Sequence, residues 1–153
     1  MQRQRVSCSR VLLERGQLRV AADVQKILTD HLRDLMARRG VDCTVSQNVP
    51  AQWTTDSSPH IQVTDAAPSL TKGWGRVAPA MTTGPQQITG WAKDSTQAKH
   101  LANLCLGLLF VSKRPRHITA FTPGPGVVTS RDEKTGAELA FCIVTVTATT
   151  IPA

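Results

Sequence analysis

Apolar residues recur at three- and four-residue steps through Val24, Ile27, Leu28, His31, Leu35 and Met36, with charged residues mostly on the other faces. That spacing predicts an amphipathic helix over residues 21–39. Acidic Asp23 near its start and Arg38-Arg39 near its end suit the helix dipole, and Gly40 is placed to cap it. His31, on the apolar side, reads as a packed or half-buried side chain rather than a ligand. Val41, Cys43, Val45, Gln47 and Val49 then alternate with polar residues, the period of a half-buried strand, until Pro50 stops it. A polar stretch from Ala51 to Pro59 leads into a second short strand, His60 to Thr64.

Residues 66–85 are punctuated by Pro68, Gly73, Gly75, Pro79, Gly84 and Pro85, and read as one long irregular loop. Gln86 to Ala92 is the third strand. Asp94 can cap a following helix, with Gln97 three residues on. This helix, residues 95–112, carries a face of Ala98, Leu101, Ala102, Cys105, Leu108 and Leu109, small and apolar enough to lie flat on a sheet. Leu101 and Leu108 are expected to face it. Leu104, Leu106 and Phe110 spill past that face, so a second cover is expected, from another subunit or from the first helix. Pro115 ends the run. Ile118 to Thr122 is a fourth strand, Val127 to Thr129 resumes one after the Pro123–Gly126 break, and Arg131 to Gly136 is a polar turn. Glu138 to Thr149 is the longest strand, apolar on both faces from Phe141 to Val146, which marks a central position in its sheet. The element order does not repeat strand–helix–strand units. It predicts an α+β fold: a single domain with a mostly antiparallel sheet of four to five strands packed with two α-helices.

A chain of 153 residues with 41% hydrophobic content fits one domain with a real core. Residues 1–19 fit no clear element and form a basic N-terminal segment; residues 20–153 form the domain. The net charge is +7, and it falls in clusters: five arginines between Arg3 and Arg19, then Arg33, Arg38 and Arg39, then Lys113, Arg114, Arg116 and His117. Such a balance favours nucleic acid, an acidic membrane or an acidic protein. The plainer reading is a solvated surface with a basic tail. Aromatics make up only 4% and tyrosine is absent, so stacking platforms for bases have few rings to use.

Candidate chemistry is sparse. Cys8, Cys43, Cys105 and Cys142 are too far apart for a C-x-x-C pair and read as small buried hydrophobes. The histidines show no metalloprotease spacing, and there is no G-x-S-x-G elbow and no phosphate loop with its lysine. No catalytic, metal or cofactor-binding residues are assigned, and an enzyme is not expected. The start, Met-Gln-Arg-Gln-Arg, has no apolar segment behind it, so folding in a reducing cytoplasm without a signal peptide or membrane span is expected. The long loop holds Lys72, Trp74 and Arg76, a ring flanked by cations that suits an interface anchor. It equally suits a ring folded back on its own domain.

The strand Ile88-Thr89-Gly90-Trp91-Ala92, the turn, the helix start Ser95-Thr96-Gln97-Ala98-Lys99-His100-Leu101-Ala102 and the final strand Phe141-Cys142-Ile143-Val144-Thr145-Val146 form a characteristic order. With Pro59-His60-Ile61-Gln62-Val63 ahead of them, they resemble the tail-terminator proteins of long, non-contractile-tailed bacteriophages, over residues 20–150. The resemblance implies a virion protein assembled in the host bacterial cytoplasm. It would form a hexameric ring with itself, cap the completed tail tube and join it to head-closure or neck proteins. Genomic DNA would pass through the lumen without sequence specificity. Lys72, Trp74 and Arg76 are then candidate interface residues, and Lys113, Arg114 and Arg116 candidate lumen or partner contacts. Head-closure and head–tail adaptor proteins share this length and are the neighbouring alternative. A basic nucleic-acid-binding module is the alternative from a different class. A binding module should gather its cations on one face, whereas a ring component can scatter them.

Overall fold

The computed structural model describes residues 19–72 and 81–152. Its two helices are α1, Val24–Arg39, and α2, Ser95–Val111. The main sheet is built on two strands of 12 residues, β5 (Met81–Ala92) and β8 (Glu138–Thr149), paired antiparallel in unbroken register from Met81↔Thr149 to Ala92↔Glu138. On its outer side β5 carries first β4 (Leu70–Lys72) and then β3 (His60–Asp65). The outer side of β8 carries β7 (Val128–Arg131) and β6 (Ile118–Pro123). β2 (Thr44–Ser46) lies parallel to β3 at one edge, and every other pairing is antiparallel. A separate two-stranded ribbon pairs β1 (Arg19–Val20) with β9 (Ile151–Pro152).

The α+β architecture, the two helices and the central last long strand agree with the sequence pattern. Both helix starts are fixed by aspartates: the Asp23 side chain accepts from the Lys26 amide at 3.1 Å, and that of Asp94 from the Gln97 amide at 2.7 Å. Gly40, at φ 70°, ends α1 in the left-handed conformation a glycine adopts without penalty.

Three expectations need correction. The stretch 66–85 is not one irregular loop, because β4 pairs with the start of β5 at Leu70↔Thr83 and Lys72↔Met81. The third strand accordingly starts at Met81 rather than Gln86. Pro85 is tolerated inside it because it falls between the reach of β4, which ends opposite Thr83, and that of β3, which begins opposite Gln86. Its carbonyl points to that same flank, accepting from the Ala66 amide at 3.0 Å, so its missing N–H breaks no ladder bond. The strand expected over Val41–Val49 shrinks to Thr44–Ser46, the three residues that pair with His60, Ile61 and Gln62 of β3. With β4 and β7 counted, the main sheet has seven strands rather than four or five.

Both helices cover one face of the sheet. Period-two alternation sends Ile88, Cys142, Val144 and Val146 to that side, where they meet Leu28, Leu32, Met36, Leu101, Cys105 and Leu109. α2 lies close where the sheet is small: Ala98 and Ala102 pack with Ala92 and Ala140. A Cβ on Gly90 would stand 2.9 Å from the Ala98 carbonyl oxygen, so glycine sets how near the helix can come. Leu104 and Leu106 are half-buried against the same core, so the second cover of α2 comes partly from its own domain.

The other face carries no helix among the described residues. Its corner near β3 is roofed by the polar loop after β2, where Trp53 is buried and meets Trp91 edge to face at 5.9 Å. Along β5 and β8 the positions on this face are Met, Thr, Pro, Gln and Trp, then Leu, Phe, Ile and Thr, all without charge. Register places Leu70 beside Thr83, Lys72 beside Met81 and Val128 beside Phe141, so two exposed apolar side chains and one lysine join the same surface.

Candidate functional site

Lys113, Arg114 and Arg116 lie in the turn between α2 and β6. The turn is fixed by backbone bonds: Ser112 caps α2 by donating to the Leu108 carbonyl at 3.0 Å, and Ile118 donates to that of Pro115 at 3.2 Å. His117 sits at φ 71°, uncommon for a residue with a side chain. Its carbonyl accepts from the Thr149 amide at 2.9 Å, which ties this turn to the last residue of β8. Arg114 donates to the Thr119 carbonyl.

Lys72 reaches the same place from another part of the chain. It pairs with Met81, which pairs with Thr149. Two strand spacings put its Cα about 10 Å from that of Thr149. Arg19 arrives by a third route, its guanidinium donating to the Thr150 hydroxyl at 3.0 Å and to the Thr150 carbonyl. Cations from separate stretches of sequence therefore lie at the same end of the β5–β8 pair, Lys72 on the open face with Met81, and Lys113 and Arg114 beside Ile118 and Phe121 on the helix-covered face. Trp74 and Arg76 lie outside the described residues. The sequence showed Arg19, Lys72 and Lys113–Arg116 as unrelated clusters; only the register of β4, β5 and β8 brings them to the same end.

This end also has an apolar component. Leu109, Phe110, Ile118 and Phe121, with Ser112, Lys113 and Arg114, line an open groove between the end of α2 and β6. Phe110 is 45% exposed and Val111 81%. On the floor Phe121 stacks on His31, with ring centroids 6.2 Å apart and 8° between planes. Burial pulls the His31 pKa down, and its Nε2 has no hydrogen-bond partner among the described residues. Sequence analysis assigned Phe110 to the second cover of α2, whereas the structure leaves it open beside the cations.

Several charges elsewhere are paired locally. Lys26 and Arg33 both meet Asp30, Arg38 meets Asp34, and Arg131 meets Glu138. Arg19, Lys72, Lys113, Arg114 and Arg116 join no ion pair among the described residues. No cysteine near them is activated among the described residues. Burial raises the thiol of Cys105 well above its ordinary range and that of Cys142 to about 11, the opposite of an activated cysteine. His60 is fully buried, with Nδ1 2.6 Å from the Thr44 hydroxyl and Nε2 3.1 Å from that of Ser46, a ring held for structure. No group of three or more His, Cys, Asp or Glu among the described residues could hold a metal ion. No described helix is long and apolar enough to cross a membrane. What this end can do chemically is bind: it offers fixed positive charge beside exposed apolar surface.

No family model matches the sequence, and no curated protein does. A chain from a solved structure described as the virion of a native gene transfer agent particle has a similar fold. The two share 14% identity with a TM-score of 0.52, over 82% of this chain and 94% of that one. At that identity the likeness is one of fold.

Proposed function

We propose that this chain is a structural virion protein of a phage-like particle, a tail terminator that acts by assembly and not by catalysis. Residues 20–153 form its domain and residues 1–19 a basic extension. Copies close into a hexameric ring that caps the finished tail tube and joins it to head-closure or neck proteins, with DNA passing through the lumen. The observation that carries this reading is the fold shared with a chain of a gene transfer agent virion over nearly that chain's whole length. The uncharged β5–β8 strip of the open face supports it, since copies carrying +7 each need surface on which to meet without opposing like charges. Lys72, Trp74 and Arg76 are assigned to contacts within the ring or with the tube, and Lys113, Arg114 and Arg116 to the lumen or a partner.

The convergence of cations favours a second reading, a nucleic-acid-binding module, since such a module gathers its charge in one place. Light scattering behind size-exclusion, with and without duplex DNA, separates the two. The ring reading expects a discrete multiple of the 16.6 kDa subunit in the absence of DNA, and closed rings in negative-stain images. A single-subunit mass at every concentration, changing only when DNA is added, overturns it.

A further inference from the structure

We propose that the end of the subunit formed by Arg19 and the α2–β6 turn docks a protein that presents acidic residues around an apolar anchor, with the anchor seated beside Phe110. The observations are local to one end of one subunit. Arg19 is bonded to Thr150, and the adjacent Thr149 amide donates to the His117 carbonyl, which sets Arg19 beside the turn that carries Lys113, Arg114 and Arg116. These four cations join no ion pair among the described residues, whereas Lys26, Arg33 and Arg38 on α1 meet aspartates one turn away. Positive charge without counter-charge is complementary to an anion that comes from outside.

The apolar part decides which anion. Duplex DNA presents phosphates, and its backbone has nothing to lay against Phe110 at 45% exposure and Val111 at 81%. A protein surface with carboxylates flanking a leucine or aromatic side chain satisfies both components at once. The groove lined by Leu109, Phe110, Ile118 and Phe121 takes the anchor, with Lys113 and Arg114 on its rim. An aromatic or apolar anchor in a pocket with charge on the rim is where binding energy concentrates at protein interfaces. The backbone of the turn is preorganised for this. His117, in the left-handed conformation, accepts from the Thr149 amide, which anchors the backbone of the turn that carries Arg116 before any partner arrives. A second copy of this chain is a poorer match, because each copy carries the same net positive charge.

The inference does not depend on the ring reading, and its test uses the full chain whatever its assembly state. Three fluorescent probes are titrated at low and moderate salt: a 12-residue peptide of Asp and Glu flanking a central Leu-Phe, the same peptide with Ser in place of Leu-Phe, and a duplex DNA of random sequence. The expected result is at least tenfold tighter binding of the first peptide than of the second. Lys113→Glu with Arg114→Glu, and separately Val111→Ser, should each lose at least fivefold of that binding, with thermal unfolding unchanged for the exposed Val111 variant. Lys26→Glu, on α1, should lose none. Equal binding of the two peptides, or tighter binding of the duplex than of the first peptide, overturns the proposal in favour of a general polyanion site. No binding of any probe overturns it outright, and leaves the ring measurement above unaffected.

Discussion

Leu101 is 4% exposed and Leu108 9%, so both sit where their helical spacing placed them, against the sheet. Removing three carbons from such a position leaves a cavity that the neighbours only partly fill. Leu108→Ala should cost about 2–5 kcal/mol in urea unfolding, and an unchanged midpoint would show that the helix does not bury this stripe. Two histidines give the residue scale a pH dependence. Burial depresses the pKa of both His31 and His60 below 6.5 in the folded chain. The unfolded chain therefore takes up protons at higher pH than the folded one. Stability from these rings is present above about pH 6.5 and declines as pH falls through that value, levelling off below the folded pKa values. The melting temperature should fall between pH 7.5 and 5.5, and His31→Gln should make the fall shallower. A slope identical to that of the unmodified chain would remove His31 from the account.

Among the elements, the helices were legible because their spacing repeats over four turns and their ends carry side chains that can only do one thing there. Asp94 is such a case. Asp94→Ala should cost about 1 kcal/mol by leaving first-turn amides without an acceptor, measured by the same unfolding curves. Glu138 to Thr149 was legible too, since apolar residues on both faces need neighbours on both flanks. The first five residues of β5 were not, because Gly84 and Pro85 read as loop signals. Nothing in the sequence shows that Pro85 would face the gap between β4 and β3. Gly90 is the reverse case: a glycine in a strand pattern that marks the close approach of α2. Gly90→Ala should destabilise by about 1–3 kcal/mol, since the new methyl meets backbone and not a movable side-chain end. The candidate site was half legible. Lys113, Arg114 and Arg116 stood out as a cluster, but their placement at one end with Lys72 and Arg19 depends on register between strands distant in sequence. The exposure of Phe110 depends on where α2 runs past the end of the sheet.

For the whole molecule, charge and shape make opposite demands that one measurement can separate. Each subunit carries +7, and copies closing into a ring bring like charges towards one another. Salt weakens that repulsion, because the screening length shrinks from about 30 Å at 0.01 M to about 8 Å at 0.15 M. The contacts that would hold copies together, by contrast, include the uncharged β5–β8 strip of the open face with Leu70, Val128 and the half-buried Phe141, and burial of apolar surface is not weakened by screening. Self-assembly should therefore strengthen as sodium chloride rises. Binding of an anionic partner at the basic end should weaken over the same range, since there the charges attract and salt screens the attraction. The expected outcome at a fixed subunit concentration is a larger assembled fraction at about 0.15 M than at about 0.01 M, read by light scattering, together with a looser complex with the acidic peptide, read by anisotropy. If assembly and peptide binding both weakened with salt, the copies would be held together by their charges. The basic end, not the open face, would then have to be the surface on which they meet.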